Sequence, residues 1–215
     1  MIVKADTASQ IAEFLLQIKA IKLQPSQPFT WASGWRSPIY CDNRISLSYP
    51  SIRSAIRDAL VHSIRLNAPS TELIAGVATA AIPQGALVAD NMNLPFVYVR
   101  SSPKGHGREN LIEGEVKPGQ KTLVIEDLVS TGKSSLKAVE ALREAGCEVL
   151  ALICIFNYGF YEAEKNFRDA ECPVISLCTY DMLLRKALDS GYISKDEIAT
   201  LEAWRKAPET WPQNH

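Results

Sequence analysis

Residues 124–135 read VIEDLVSTGKSS, an apolar run that ends in two adjacent carboxylates, Glu126 and Asp127, followed by a glycine-containing turn. The apolar run reads as a strand. The SSLKAVEALREAG that follows reads as a helix with Leu136, Val139 and Leu142 on one side and Gly146 as its stop. In open parallel sheets, ligands bind beyond the carboxyl ends of strands. There the amides of Thr131, Gly132, Lys133 and Ser134 can converge at the positive end of the helix, beside the hydroxyls of Ser130, Thr131 and Ser134. Such a cradle suits a phosphate monoester. The acids would repel phosphate and suit ribose hydroxyls or Mg²⁺ instead. A triphosphate-binding loop needs a glycine five residues before Gly132, and Asp127 occupies that position. The plainer alternative is a solvated turn whose acids and serines only cap the helix.

A second group of chemistry-bearing residues lies in RSSPKGHGRENLIEGEVKPG, residues 100–119. So long a polar stretch without a core of its own marks a lid, a binding loop or a solvated surface loop. Gly105 and Gly107 flank His106, and Lys104 and Arg108 supply positive charge for an anionic substrate. A zinc site lacks ligands: His62 sits in a helical pattern and His215 is the last residue, so His106 has no plausible partners. A weaker signal is IAGVATAAIPQG, residues 74–85, whose small residues admit a ligand close to the backbone or a helix close to a sheet.

Regular alternation must position these motifs. ELIAGV, PFVYVR, KTLVIE, EVLALICIFN and PVISLCT read as strands, separated by helical patterns that begin near Pro83 and Ser134. A helix over residues 7–20 carries Ile11, Phe14, Leu15 and Ile18 on one face, with Thr7 and Gln10 as a capping box. Another begins near Pro50 with Ile52, Ile56, Leu60 and Ile64 as its stripe. Two more begin near Asp181 and Ser194, the latter with Ser194 and Glu197 as a capping box. QPSQPFTWASGWRSPIYCDNR has no sustained period and reads as loop and short irregular strand. The fold class is α/β, with a mostly parallel central sheet flanked by helices.

The whole composition agrees. A chain of 215 residues with 47% hydrophobic and 22% charged residues supports one globular domain and excludes a disordered or collagenous one. Its net charge of -1 excludes a non-specific nucleic-acid coat, so anion binding must be local. No run is apolar for the ~20 residues of a spanning helix. The opening MIVKADTASQ lacks the order of a secretory signal. Five cysteines without a CxxC spacing read as free thiols in a reducing compartment, so the cytoplasm is expected. These residues define an α/β enzyme that handles a phosphorylated, ribose-containing small molecule with Mg²⁺.

The strand–EDLVSTGKS–helix segment resembles the phosphoribosyl pyrophosphate motif of the type I phosphoribosyltransferases. FTWASGWRSPIYCDNR and RSSPKGHGREN extend the likeness to the bacterial orotate branch of that family, over nearly the whole chain. The resemblance implies one phosphoribosyltransferase domain over residues 1–215, with 1–48 contributing to a small hood and 101–113 forming a mobile catalytic loop. It implies that Glu126, Asp127, Leu128, Val129, Ser130, Thr131, Gly132, Lys133 and Ser134 bind the ribose 5-phosphate of the donor. Arg100, Lys104 and His106 would surround its pyrophosphate, and Thr79 and Ala80 would form the pyrophosphate loop. Lys104, His106 and Asp127 would act in catalysis, while Ser130, Tyr40 and Arg36 would face orotate.

The same resemblance implies Mg²⁺ held mainly through the donor. It also implies a homodimer whose loop closes over the partner's site, and a place in pyrimidine biosynthesis. Departures are local. Ala32 stands where some relatives have Lys, Ser101 where some have a second basic residue, and Thr79-Ala80 where some have Tyr-Lys. Asn157 and Tyr158 stand where others hold the orotate carboxylate with Arg, which leaves Arg36 and Arg44 as candidate clamps.

Overall fold

A computed structural model describes residues 3–31, 34–102 and 111–211. The chain opens with helix α1 (Ala5–Gln17), whose buried Ala8, Ile11, Ala12, Leu15 and Leu16 form one face. The Thr7–Gln10 capping box does not form. The helix begins earlier, with Lys4 at its N-cap and no side-chain cap, so both residues lie inside it. Four short strands follow: β1 (Ile21–Leu23), β2 (Phe29–Thr30), β3 (Arg36–Ser37) and β4 (Ile39–Cys41). They pair antiparallel as β1–β4 and β2–β3. A 3-10 turn, Asn43–Ser48, leads into α2 (Pro50–Asn67), with proline in the first turn where its missing N–H costs nothing.

The alternating part contains β5 (Leu73–Val77), α3 (Ile82–Met92), β6 (Phe96–Val99), β7 (Ile112–Glu113), β8 (Lys121–Val129) and α4 (Lys133–Glu144). It continues through β9 (Glu148–Asn157), α5 (Tyr161–Asp169) and β10 (Val174–Thr179) to α6 (Tyr180–Asp189) and α7 (Lys195–Lys206). The six-stranded sheet has the order β10-β9-β8-β5-β6-β7. Every pair is parallel except β6–β7. This bears out the α/β class and all five strand assignments. The Ser194–Glu197 capping box is present, and Gly146, at φ +89°, follows the end of α4.

Apolar clusters cover both faces of the sheet. One packs α1, α2, α3, α6 and α7 against residues such as Leu123, Ile125, Ile153 and Ile175. The other packs α4 and α5 against Val124, Leu152 and Cys154. Each fully buried Leu or Ile stabilises the fold by roughly 1.5–3 kcal/mol, so the strands cannot shift register cheaply. The short strands near the amino end are tied in by two indoles. Trp31 Nε1 donates to the Ile39 carbonyl at 3.0 Å, and Trp204 Nε1 of α7 donates to the Arg36 carbonyl at 3.2 Å. All five cysteines are free, and four are buried.

Candidate active site

From β5 the chain passes outward to β6 on one side, whereas β8, β9 and β10 extend on the other. The order therefore reverses between β5 and β8. The crevice beyond the carboxyl ends at such a reversal is where open α/β sheets bind ligands. Both segments singled out for small residues and acids leave from these two strands.

The strand does not end in the acids, as the sequence suggested, but runs two residues past them to Val129. Pairing with β9 continues through Glu126↔Cys154 and Leu128↔Phe156 to Val129↔Asn157. Ladder hydrogen bonds hold the carboxylates more rigidly than a loop would. Glu126 is 5% exposed. Its Oε2 accepts from Ser135 Oγ at 2.9 Å and its Oε1 from the Asp127 amide at 3.0 Å. Burial pushes its pKa well above the usual carboxylate range, and the Asp127 charge and hydrogen bond push it the same way. Burial also raises Asp127, against its hydrogen bond with Glu126, the amides of Asp127 and Leu128, and the charge of Arg44. Both shifts favour the protonated forms, and hydroxyl donors or a cation at the site would favour the charged ones.

Beside the pair, Gly132 caps α4 at φ +78° and ψ 0°, without any side-chain cap bond. The first amides of α4 thus keep their positive end for an anion. Asn166 Nδ2 of α5 donates to the Thr131 carbonyl at 3.1 Å and fixes the turn from behind. Leu128 and Val129 pack into the two cores, so they offer only backbone to a ligand. Ser130 and Thr131 are half-buried and Ser134 is exposed, all in this turn or the helix start. Lys133 brings its amide to the helix start, while its exposed Nζ pairs with Glu162 Oε1 at 2.9 Å.

Gly132 is required for two reasons. Its φ disfavours any side chain, and a Cβ would stand 2.6 Å from Cε2 of Phe167. Gly132→Val is therefore expected to cost about 2–4 kcal/mol of stability. It should also weaken ribose 5-phosphate binding at least tenfold, by misaiming the amides. Thermal unfolding and calorimetric titration read the two effects; unchanged affinity in a folded variant would put the phosphate elsewhere.

The remaining expected residues fall around this cradle unequally. Thr79 and Ala80 form the turn between β5 and α3, with Thr79 exposed. That turn is held by Ala78 N–H to the Val99 carbonyl at 2.9 Å. Arg100 follows β6. Its amide donates to the Leu111 carbonyl at 2.9 Å, and its Nη1 meets Glu113 Oε1 at 3.3 Å. Lys137 Nζ of α4 donates to the Ser101 carbonyl at 2.7 Å. The segment after Arg100 thus leaves from, and returns to, the end of the sheet that carries the acids. Lys104, His106 and Arg108 lie outside the described residues, as do Ala32 and Ser33.

Among the short amino-terminal strands, Tyr40 is 39% exposed and packs on Phe29 with ring centroids 5.6 Å apart. Arg36 lies on β3, paired with Thr30. Arg44 is held in a two-point pair by Asp42, Nε–Oδ1 2.7 Å and Nη2–Oδ2 2.9 Å, yet its side chain is 63% exposed. Asn157 cannot replace a clamp. Its Nδ2 donates to Ser176 Oγ at 3.2 Å and its Oδ1 accepts from the Gly159 amide at 2.8 Å. Tyr158 is buried in an aromatic cluster with Trp31, Phe156, Phe160 and Trp204.

Ser135, Asn166 and Asn43 escaped the sequence reading. Each is a single small polar residue whose partner is fixed only by the fold. Asn43 Nδ2 donates to the Asp127 carbonyl at 2.7 Å across 84 residues of chain.

Among the described residues, no three His, Cys, Asp or Glu side chains gather to hold a metal. Two neighbouring carboxylates do suit Mg²⁺, which commonly takes one or two from a protein and its remaining oxygens from water and substrate phosphates. No described helix is long and apolar enough to cross a membrane.

Acids, uncapped helix and switch-point crevice together define a protein built to hold a phosphorylated sugar at the carboxyl edge of a parallel sheet. The model of the phosphoribosyl transferase domain matches residues 48–181. The orotate phosphoribosyltransferase of Bacteroides fragilis is 60% identical over 200 residues, 93% of this chain and 94% of that protein. That of Porphyromonas gingivalis is 59% identical over 201 residues, 94% of this chain and 96% of its own. The crystal structure of orotate phosphoribosyltransferase from Aeropyrum pernix superposes with a TM-score of 0.75 at 28% identity, covering 86% of this chain and 99% of that one. The chain belongs to the phosphoribosyltransferase family and, within it, to the orotate phosphoribosyltransferases.

Proposed function

We infer that this protein transfers the 5-phosphoribosyl group of phosphoribosyl pyrophosphate to orotate, giving orotidine 5'-phosphate and pyrophosphate in UMP biosynthesis. The observation that carries the reading is the buried Glu126 and the half-buried Asp127 set against the uncapped start of α4. Acids alone would repel a phosphate, and amides alone would not select a sugar; side by side they fit a ribose 5-phosphate. The amides of Thr131 to Ser134 orient the 5-phosphate, and the carboxylates accept from the ribose hydroxyls. Ser130, Tyr40 and Arg36 lie towards orotate. Arg44 is the better candidate for its carboxylate, because an exposed pair such as Arg44–Asp42 exchanges partners at little cost.

Displacement at C1 leaves positive charge on the ribose and negative charge on the departing pyrophosphate. Arg100, Lys104 and His106 stabilise that pyrophosphate, with Thr79 and Ala80 bringing backbone close to it. Mg²⁺ would be held mainly through the donor, with the Asp127 and Glu126 carboxylates nearby, and would supply further positive charge to the departing pyrophosphate. Orotate arrives as an anion, so no strong base is needed. We further propose a cytoplasmic homodimer in which segment 101–113 closes over the partner's site and excludes water.

Incubating the protein with phosphoribosyl pyrophosphate, Mg²⁺ and, in parallel, orotate, uracil or adenine tests the reading. Orotate alone should give a nucleotide product. Preferred use of uracil or adenine would make this a nucleobase enzyme, and donor binding without turnover would make it a sensor.

A further inference from the structure

The crevice opens because β8 outruns β5. Their pairing stops at Gly76↔Ile125, while β9 accompanies β8 as far as Val129. Beyond Ile125 the peptide groups of β8 that β9 does not take must find partners outside the sheet. The Asp127 carbonyl finds one in the hood, where Asn43 Nδ2 stands 2.7 Å away. Asn43 is 2% exposed and engaged on every side. Its Oδ1 accepts from Cys41 Sγ at 3.4 Å and its carbonyl from Ser46 Oγ at 2.6 Å. Asp42 fixes the same turn by accepting from the Arg44 amide at 3.2 Å. A side chain locked on all sides places its donor with little freedom.

We propose that Asn43 is a positioning residue that aims the Asp127 carboxylate at the donor's ribose by fixing the Asp127 peptide. Each acid then has its own brace. Ser135 of α4 holds the Glu126 carboxylate directly, whereas Asn43 holds Asp127 through its main chain. The two braces come from opposite sides of the strand end, one from a core helix and one from the hood. Without Asn43, the Asp127 carbonyl loses its only hood donor among the described residues, and the strand end is free to turn its carboxylate away. The proposal rests on the reading that Asp127 touches ribose.

A double-variant cycle tests it. Affinity for phosphoribosyl pyrophosphate with Mg²⁺ is measured by calorimetry for the full chain, Asn43→Leu, Asp127→Asn and the double variant, each with its Tm. Asn43→Leu should weaken the donor about tenfold, the scale of one buried hydrogen bond to a polar group, and leave the KM for orotate within twofold. Asp127→Asn should weaken it as well, and the double variant should be no weaker than Asp127→Asn alone.

A purely structural role for Asn43 would lower Tm but multiply the two losses in the double variant, and that result overturns the proposal. So does donor affinity within twofold of the parent in Asn43→Leu. If Asp127→Asn itself binds the donor normally, the ribose reading fails first and the proposal falls with it. Should Asn43→Leu not fold, Asn43→Ala, which lets water reach the Asp127 carbonyl, carries the same cycle.

Discussion

Glu126→Gln is expected to leave the protein more stable to heat at neutral pH and severely impaired as a catalyst. Glu126 is buried beside Asp127, and its pKa lies well above the ordinary range for that reason first and the neighbouring charge second. Below the ordinary Glu value of about 4.3, folded and unfolded chains both keep the proton and nothing depends on it. As pH rises from there to the raised folded value, the unfolded chain releases its proton first. Stability therefore falls through that window, and above it the cost of a buried negative charge is complete.

Glutamine removes the titration while keeping both hydrogen bonds. Its oxygen accepts from the Asp127 amide, and its nitrogen donates to Ser135 Oγ, whose hydroxyl turns to accept. The Tm difference between variant and parent should widen from pH 4.5 to pH 8, at about 3 °C per kcal/mol for a chain of this size. If Glu126 accepts from the donor's ribose as proposed, that lost charged acceptor should cost about 1.5–3 kcal/mol, or roughly 10–100-fold in kcat/KM. Scanning calorimetry across pH and steady-state kinetics read both halves. A variant less stable than the parent at pH 8, or one with unchanged kcat/KM, would mean that the pair does not carry the charge and role assigned to it.

That mixture of rigidity and cost explains how much the sequence disclosed. Strands of the central sheet were legible because both faces are covered, so each is a short unbroken apolar run such as LIAGV or VISLCT. The cradle was legible because two adjacent acids directly follow an unbroken apolar run and a glycine-containing turn then opens a helix. Helix α5 was not. Only Ala163 and Phe167 are buried in its nine residues, too few to show a period. The end of β8 was misplaced because Glu and Asp are poor strand formers, and only pairing with β9 keeps them extended. Asn43 was invisible for a further reason: a bond across 84 residues leaves no local trace. In the same way Asn157 looked like a gap in a binding site until its two bonds to Ser176 and Gly159 showed it shaping a turn.

Mixing two inactive homodimers should restore activity if each site draws its acids from one chain and its loop cation from the other. If Lys104 meets the leaving pyrophosphate as proposed, Lys104→Ala should cost ~3 kcal/mol, or ~100-fold in turnover. Asp127→Asn removes an acid held by β8 and Asn43. The segment holding Lys104 leaves β6 and returns along β7, with Arg100 bonded to Leu111 at its neck.

Co-expression with two tags distinguishes a crossed segment from one that serves its own chain. If the segment crosses, one site of the purified heterodimer carries both lesions and the other carries neither. Orotidine 5'-phosphate formation should then reach about half the wild-type rate per dimer, given independent sites. If it serves its own chain, each site keeps one lesion, and the heterodimer is no better than its parents. Recovery of tens-fold over either homodimer admits only the crossed arrangement, since no shared lesion can be repaired within one chain. A folded heterodimer at parental activity would return Lys104 to the site of its own subunit.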